Sequence, residues 1–176
     1  NKLKHRLVMN KLLLFILVFF SAFVLGQNES VLKNKIDSIA YNADISNLKL
    51  IKNFTLKMDS IQVKVKRFKN KIQTENTFLK SKSFVTINFY FKDEKLILVR
   101  AEEKSPLVED LSNFTAFYYD KKDVFYKGYY QKVRICLPID FDKSTYEVYG
   151  YNKNLNEAFF TLYFEALYTK ISKKSL

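Results

Sequence analysis

The sequence is short of the residues that build most compact chemical sites. It has one histidine, one cysteine, three glycines, two prolines and no tryptophan in 176 residues. One cysteine excludes an intrachain disulfide framework. A single histidine and a single cysteine exclude a structural zinc site, which needs four such ligands. The three glycines, Gly26, Gly128 and Gly150, lie far apart, so there is no glycine-rich loop to cradle phosphate. No Pro/Gly/Ser-rich linker divides the chain. What is present is apolar and basic: 48% hydrophobic residues, which argues against global disorder, and 30 Lys+Arg against 18 Asp+Glu.

The first 26 residues read as an address. Lys2, Lys4, Arg6 and Lys11 precede an apolar run, Leu12 to Leu25, broken only by Ser21. Gly26 and the polar Gln27-Asn28-Glu29-Ser30 follow, the pattern of a signal peptide cut before Gln27. Met9-Asn10-Lys11 reads as a natural start. The run is short for a spanning helix, which needs ~20 apolar residues. Expected localisation is therefore periplasmic or extracellular, the alternative being an uncleaved anchor over residues 12–25. The only histidine, His5, lies in this leader, so residues 27–176 form one expected mature domain without histidine.

Charge in that domain is uneven. Residues 49–82 carry 10 basic and 2 acidic side chains, whereas 83–176 carry 14 and 13. A local excess of this kind creates a positive potential that draws in anionic partners.

Periodicity supplies the elements. Leu32, Ile36, Ile39, Ala40 and Ala43 form one stripe of a 3.6-residue period, predicting a helix over 30–47. From Phe54 the period becomes two. Phe54, Leu56 and Met58, then Ile61, Val63 and Val65, alternate with polar and basic residues, predicting two half-buried strands. Residues 69–82 are polar and carry no clear pattern. Two hairpins follow, over 84–101 and 114–135, with a four-residue charged break in each and no Asn-Gly or Asp-Gly pair to signal a tight turn. A short strand is expected at 146–149, and a broadly apolar helix over 154–171, capped by Asn152 or Asn154. The order predicts an α+β fold. An antiparallel meander of five to six strands would be flanked by an N-terminal and a C-terminal helix, packed on one face.

The two hairpins are similar to each other at a spacing of 28 residues. Their phrases are Phe89-Tyr90-Phe91-Lys92-Asp93-Glu94-Lys95-Leu96-Ile97 and Phe117-Tyr118-Tyr119-Asp120-Lys121-Lys122-Asp123-Val124-Phe125. Both resemble a phrase of the type Tyr-Tyr-Phe-x-Asn-Gly-Lys-Leu-Ile, found in a loose group of small uncharacterised secreted bacterial proteins. The resemblance spans roughly residues 54–171 and implies aromatic hairpins between a leader and a C-terminal helix. It implies no activity and no functional residue.

Local chemistry is sparse. Cys136 has Arg134 two residues away but no histidine base in the mature chain, so it reads as a small core side chain. Asp140 and Asp142 could give two oxygens to a hard cation, without the further ligands and glycine of an EF-type loop. No metal or cofactor is expected. Ser30-Val31-Leu32-Lys33 and Ser46-Asn47-Leu48-Lys49 match Ser-x-x-Lys without the companion motifs of that enzyme class. Asn28-Glu29-Ser30, Asn53-Phe54-Thr55 and Asn113-Phe114-Thr115 fit glycosylation acceptors. Lys127 to Arg134 interleaves basic and aromatic residues, a pattern that can stack bases, though a leader argues against nucleic acid.

These observations predict an exported, non-enzymatic binding module. Its expected contact surface is the basic outer face of Lys57, Lys64, Lys66 and Arg67, together with Tyr90. Its expected partner is an anionic polymer, a membrane surface or another protein. The alternatives are a hydrolase using carboxylates or a Ser/Lys pair, and an envelope protein anchored by its leader.

Overall fold

The computed structural model of the protein describes residues 29–132 and 144–175. The leader, Arg134, Cys136, Asp140 and Asp142 lie outside these residues. Contacts divide the chain into two compact units, Asn1–Ile39 and Ala40–Leu176. Helix α1 covers 29–45 and therefore crosses from one unit into the next. Ile36 and Ala40, four apart on the expected stripe, are its buried positions.

The second unit holds one antiparallel sheet of seven strands in sequence order: β1 Lys52–Met58, β2 Ile61–Arg67, β3 Lys71–Phe78, β4 Ser83–Lys92, β5 Lys95–Lys104, β6 Ser112–Asp120 and β7 Asp123–Lys132. The count is seven rather than five to six because residues 71–78 form a strand with a polar middle. Its inward positions are Ile72, Thr74, Asn76 and Phe78. The two polar ones are satisfied by other elements. Thr74 Oγ1 donates to the Ile87 carbonyl, Asn76 Nδ2 donates to the Val85 carbonyl, and Asn76 Oδ1 accepts from the Tyr163 hydroxyl at 3.0 Å. Buried polar groups with partners cost little, so the strand keeps its place in the core.

Helix α3, Glu157–Ser175, covers one face of the sheet. Phe160, Tyr163, Phe164, Leu167 and Ile171 form its buried stripe against Val63, Val65, Val85, Ile87, Phe89, Val99 and Phe117. Leu162 points outward and is exposed. The Asn156 Oδ1 accepts from the Phe159 amide, so the cap lies two to four residues beyond the expected asparagines. The stretch expected as a strand at 146–149 is instead a helix, α2, Thr145–Tyr149. Ser144 and Glu147 form a reciprocal capping box at its start, and Gly150 ends it with φ 70°.

The last turn of α1 does not share the face that α3 covers. Asp44, in the last turn of α1, reaches Lys71, Tyr90 and Arg100, whose side chains lie on the face opposite α3. The charged breaks are tighter than expected. Lys92 pairs with Lys95 and Asp120 with Asp123, leaving two-residue turns. The hairpins also share a defect at equivalent positions. Pairing shifts after Tyr90 and again after Tyr118, so Ile97 and Phe125 bulge out of register. The 28-residue similarity of the two phrases thus reaches the level of the backbone.

Candidate functional site

Strand alternation decides where the basic side chains go. On β2, Val63 and Val65 face α3, so Lys64 and Lys66 face the other way. Lys57 on β1 pairs with Gln62 and joins them on that outer face. Lys66 meets Glu75 of β3 at 3.0 Å, with Glu75 directly opposite Lys64. Such exposed pairs contribute about 0–1 kcal/mol to stability. They leave most of the positive field of this strip standing.

The structure brings Lys57, Lys64 and Lys66 together and separates the other two expected residues from them. Arg67 continues the Val63–Val65 side of its strand and lines a recess with Phe68, Phe91 and Tyr168 on the α3 side. Tyr90 is 1% exposed. Its hydroxyl donates to both Asp44 carboxylate oxygens at 3.0 Å, and Lys71 Nζ lies 2.7 Å from the same carboxylate. Burial, then the Asp44 charge, holds the hydroxyl protonated far above its ordinary range. Tyr90 is therefore a fixed internal donor rather than a surface contact.

The β1 edge of the sheet shows what sequence reasoning missed. Lys52 Nζ donates to the Lys174 carbonyl at 3.1 Å, one of the last carbonyls of α3 and without an intrahelical partner. Lys174 Nζ donates in turn to the Thr55 carbonyl at 2.7 Å. The two ammonium groups stand 5.7 and 5.5 Å from the centre of the same Phe54 ring. Each gains about 0.5–1 kcal/mol from the ring's quadrupole at such a site. Among the described residues, no carboxylate lies within ion-pair distance of either lysine. An ammonium carries three donors, and here one of each goes to a carbonyl. Lys170 and Lys173 are exposed on the same last turns of α3. The arrangement concentrates positive charge at the β1 edge and the end of α3. The sequence signals were the excess over 49–82 and the lysines ending α3; nothing in them tied the two together.

Other polar clusters have internal duties. Glu103 is 6% exposed, accepts from the Asn152 amide at 2.9 Å, and has its carboxyl pushed up to about 7 by burial, against that hydrogen bond. Across the ladder from it, Asn113 Oδ1 is buried without a partner. In the two Ser-x-x-Lys matches, Lys33 and Ser46 each bond to a residue of α1. Lys33 pairs with Asp37 at 3.0 Å, and the Ser46 hydroxyl donates to the Asn42 carbonyl at the end of α1. Among the described residues, no three His, Cys, Asp or Glu side chains converge as a metal site, and no helix is long and apolar enough to cross a membrane.

No protein-family model, curated protein or solved structure matches the chain, so the reading of this edge rests on its own geometry.

Proposed function

We propose that the protein is a small exported binding module that engages an anionic surface or polymer through the lysine-bearing edge of its sheet. The observation that carries the reading is the pair Lys52 and Lys174, held around Phe54 by backbone carbonyls and, among the described residues, without a carboxylate partner. Lys170 and Lys173 extend the positive field along α3, and Lys57 and Lys64 add to it from the opposite face of β1 and β2. Long-range attraction steers the partner in, and the ammonium donors then bind its oxyanions. Export is supported by the basic start, the apolar run 12–25 and the polar turn at Gln27.

The test is retention on phosphocellulose at rising salt. The unsubstituted chain is expected to bind at low ionic strength and to elute as screening shortens the Debye length to about 8 Å near 0.15 M. The Lys52→Ala/Lys174→Ala variant is expected to elute at clearly lower salt. Equal elution of the two would overturn the reading.

A further inference from the structure

The edge has an apolar component that a soluble polyanion would not use. Leu50 and Ile51 immediately precede β1 and are 45% and 62% exposed. They are flanked by Lys49 and Lys52. The Ile51 amide donates to the Arg67 carbonyl at 2.8 Å, so the backbone here is fixed in an extension of the β1–β2 ladder. The two side chains therefore stand at the start of the edge strand, where alternation sends them to its two sides. Tyr41 and Ile45, four apart on α1, are also exposed in the chain just upstream. Apolar side chains held in water beside lysines that have no carboxylate partner among the described residues fit one kind of partner. A bilayer offers phosphates at the headgroup level and, a few ångströms deeper, the acyl boundary. Lysine stems lie along apolar surface while their ammonium groups stay with the headgroups.

We infer that the edge formed by Leu50, Ile51, Lys52 and Lys174 docks on the surface of a bilayer containing anionic phospholipid, with Leu50 and Ile51 entering the interface. This rests on the anion-binding reading above and names its partner. The electrostatic part brings the edge to the membrane, and the apolar pair then selects a bilayer over a soluble polyanion.

Co-sedimentation of the full chain with vesicles tests it. Three probes are needed: mixed phosphatidylglycerol–phosphatidylcholine vesicles, pure phosphatidylcholine vesicles, and soluble polyphosphate. The apolar run 12–25 contributes to both vesicle types, so the readout is the extra binding to the mixed vesicles. Leu50→Ser/Ile51→Ser is expected to lower that extra binding about tenfold, the scale of removing two partly buried apolar side chains, with polyphosphate binding unchanged. Lys52→Ala/Lys174→Ala is expected to lower both. The single Ile51→Ser variant, at an exposed side chain, repeats the measurement should the double variant fold poorly. If the serine variants bind mixed vesicles as the unsubstituted chain does, membrane docking is overturned while anion binding stands. If the lysine variant binds vesicles and polyphosphate undiminished, both fall.

Discussion

At Glu103, burial and one hydrogen bond act in opposite directions, and burial prevails. The carboxyl is pushed up to about 7 from its ordinary 4.5. Between those values the folded chain holds a proton that the unfolded chain has released. Stability from this group is therefore complete below about pH 4.5 and is lost as pH rises through 7. The loss is at most about 3 kcal/mol. Glu103→Gln keeps an acceptor for the Asn152 amide and places a donor opposite the unpartnered Asn113 Oδ1. It is expected to be more stable than the unsubstituted chain at pH 8 and close to it at pH 4, measured by denaturant midpoint. Parallel pH profiles for the two chains would show that Glu103 is not the group responsible. No sequence feature marked this residue. It sits in a strand with Glu102 beside it, and the Asn152 amide that bonds it comes from 49 residues away.

Elements were legible where side-chain period followed burial and hidden where other chemistry took over. β6 is buried on both faces and β7 leaves Val124, Tyr129 and Tyr130 exposed, but the α3 stripe and β1, β2 and β4 follow their apolar periods. β3 does not, because Thr74 and Asn76 occupy core positions and find partners on β4 and α3. At α2 the apolar alternation of Tyr146, Val148 and their neighbours misled, while the capping pair Ser144 and Glu147 was the informative signal. The hairpin turns misled by composition. Asp93 and Glu94 have φ 50° and 61°, the left-handed conformation of a two-residue turn that favours Asn-Gly. A side chain there costs about 1–2 kcal/mol in steric strain, partly offset by the greater freedom glycine has in the unfolded chain. Glu94→Gly is accordingly expected to stabilise the protein by about 0.5–1 kcal/mol, a rise of about 2 °C in Tm for a chain of this size. An unchanged or lower Tm would mean that the Glu94 side chain contributes more than its backbone strain costs.

At the scale of the whole molecule, the charge excess over 49–82 was visible in composition, but its partner was not. Lys52 and Lys174 are 122 residues apart, and they meet because β1 is the edge strand and α3 ends beside it. Strand alternation likewise could not show that α1 would deliver Asp44 to Tyr90, which removed that tyrosine from the surface. Gathering like charges on one edge opposes folding at low ionic strength, since nothing screens them. Two effects should then be separable in thermal melts. Sodium chloride is expected to raise Tm modestly as the Debye length falls from about 30 Å at 0.01 M to about 8 Å at 0.15 M. Polyphosphate at matched ionic strength is expected to raise it further, because a ligand that binds only the folded edge adds RT ln(1 + [L]/Kd). At a hundredfold excess over Kd that is about 2.7 kcal/mol, or roughly 5–10 °C. Lys52→Ala/Lys174→Ala should keep most of the chloride response and lose most of the polyphosphate increment. If polyphosphate did no more than chloride in the unsubstituted chain, the edge would be a screened patch of charge with no bound partner.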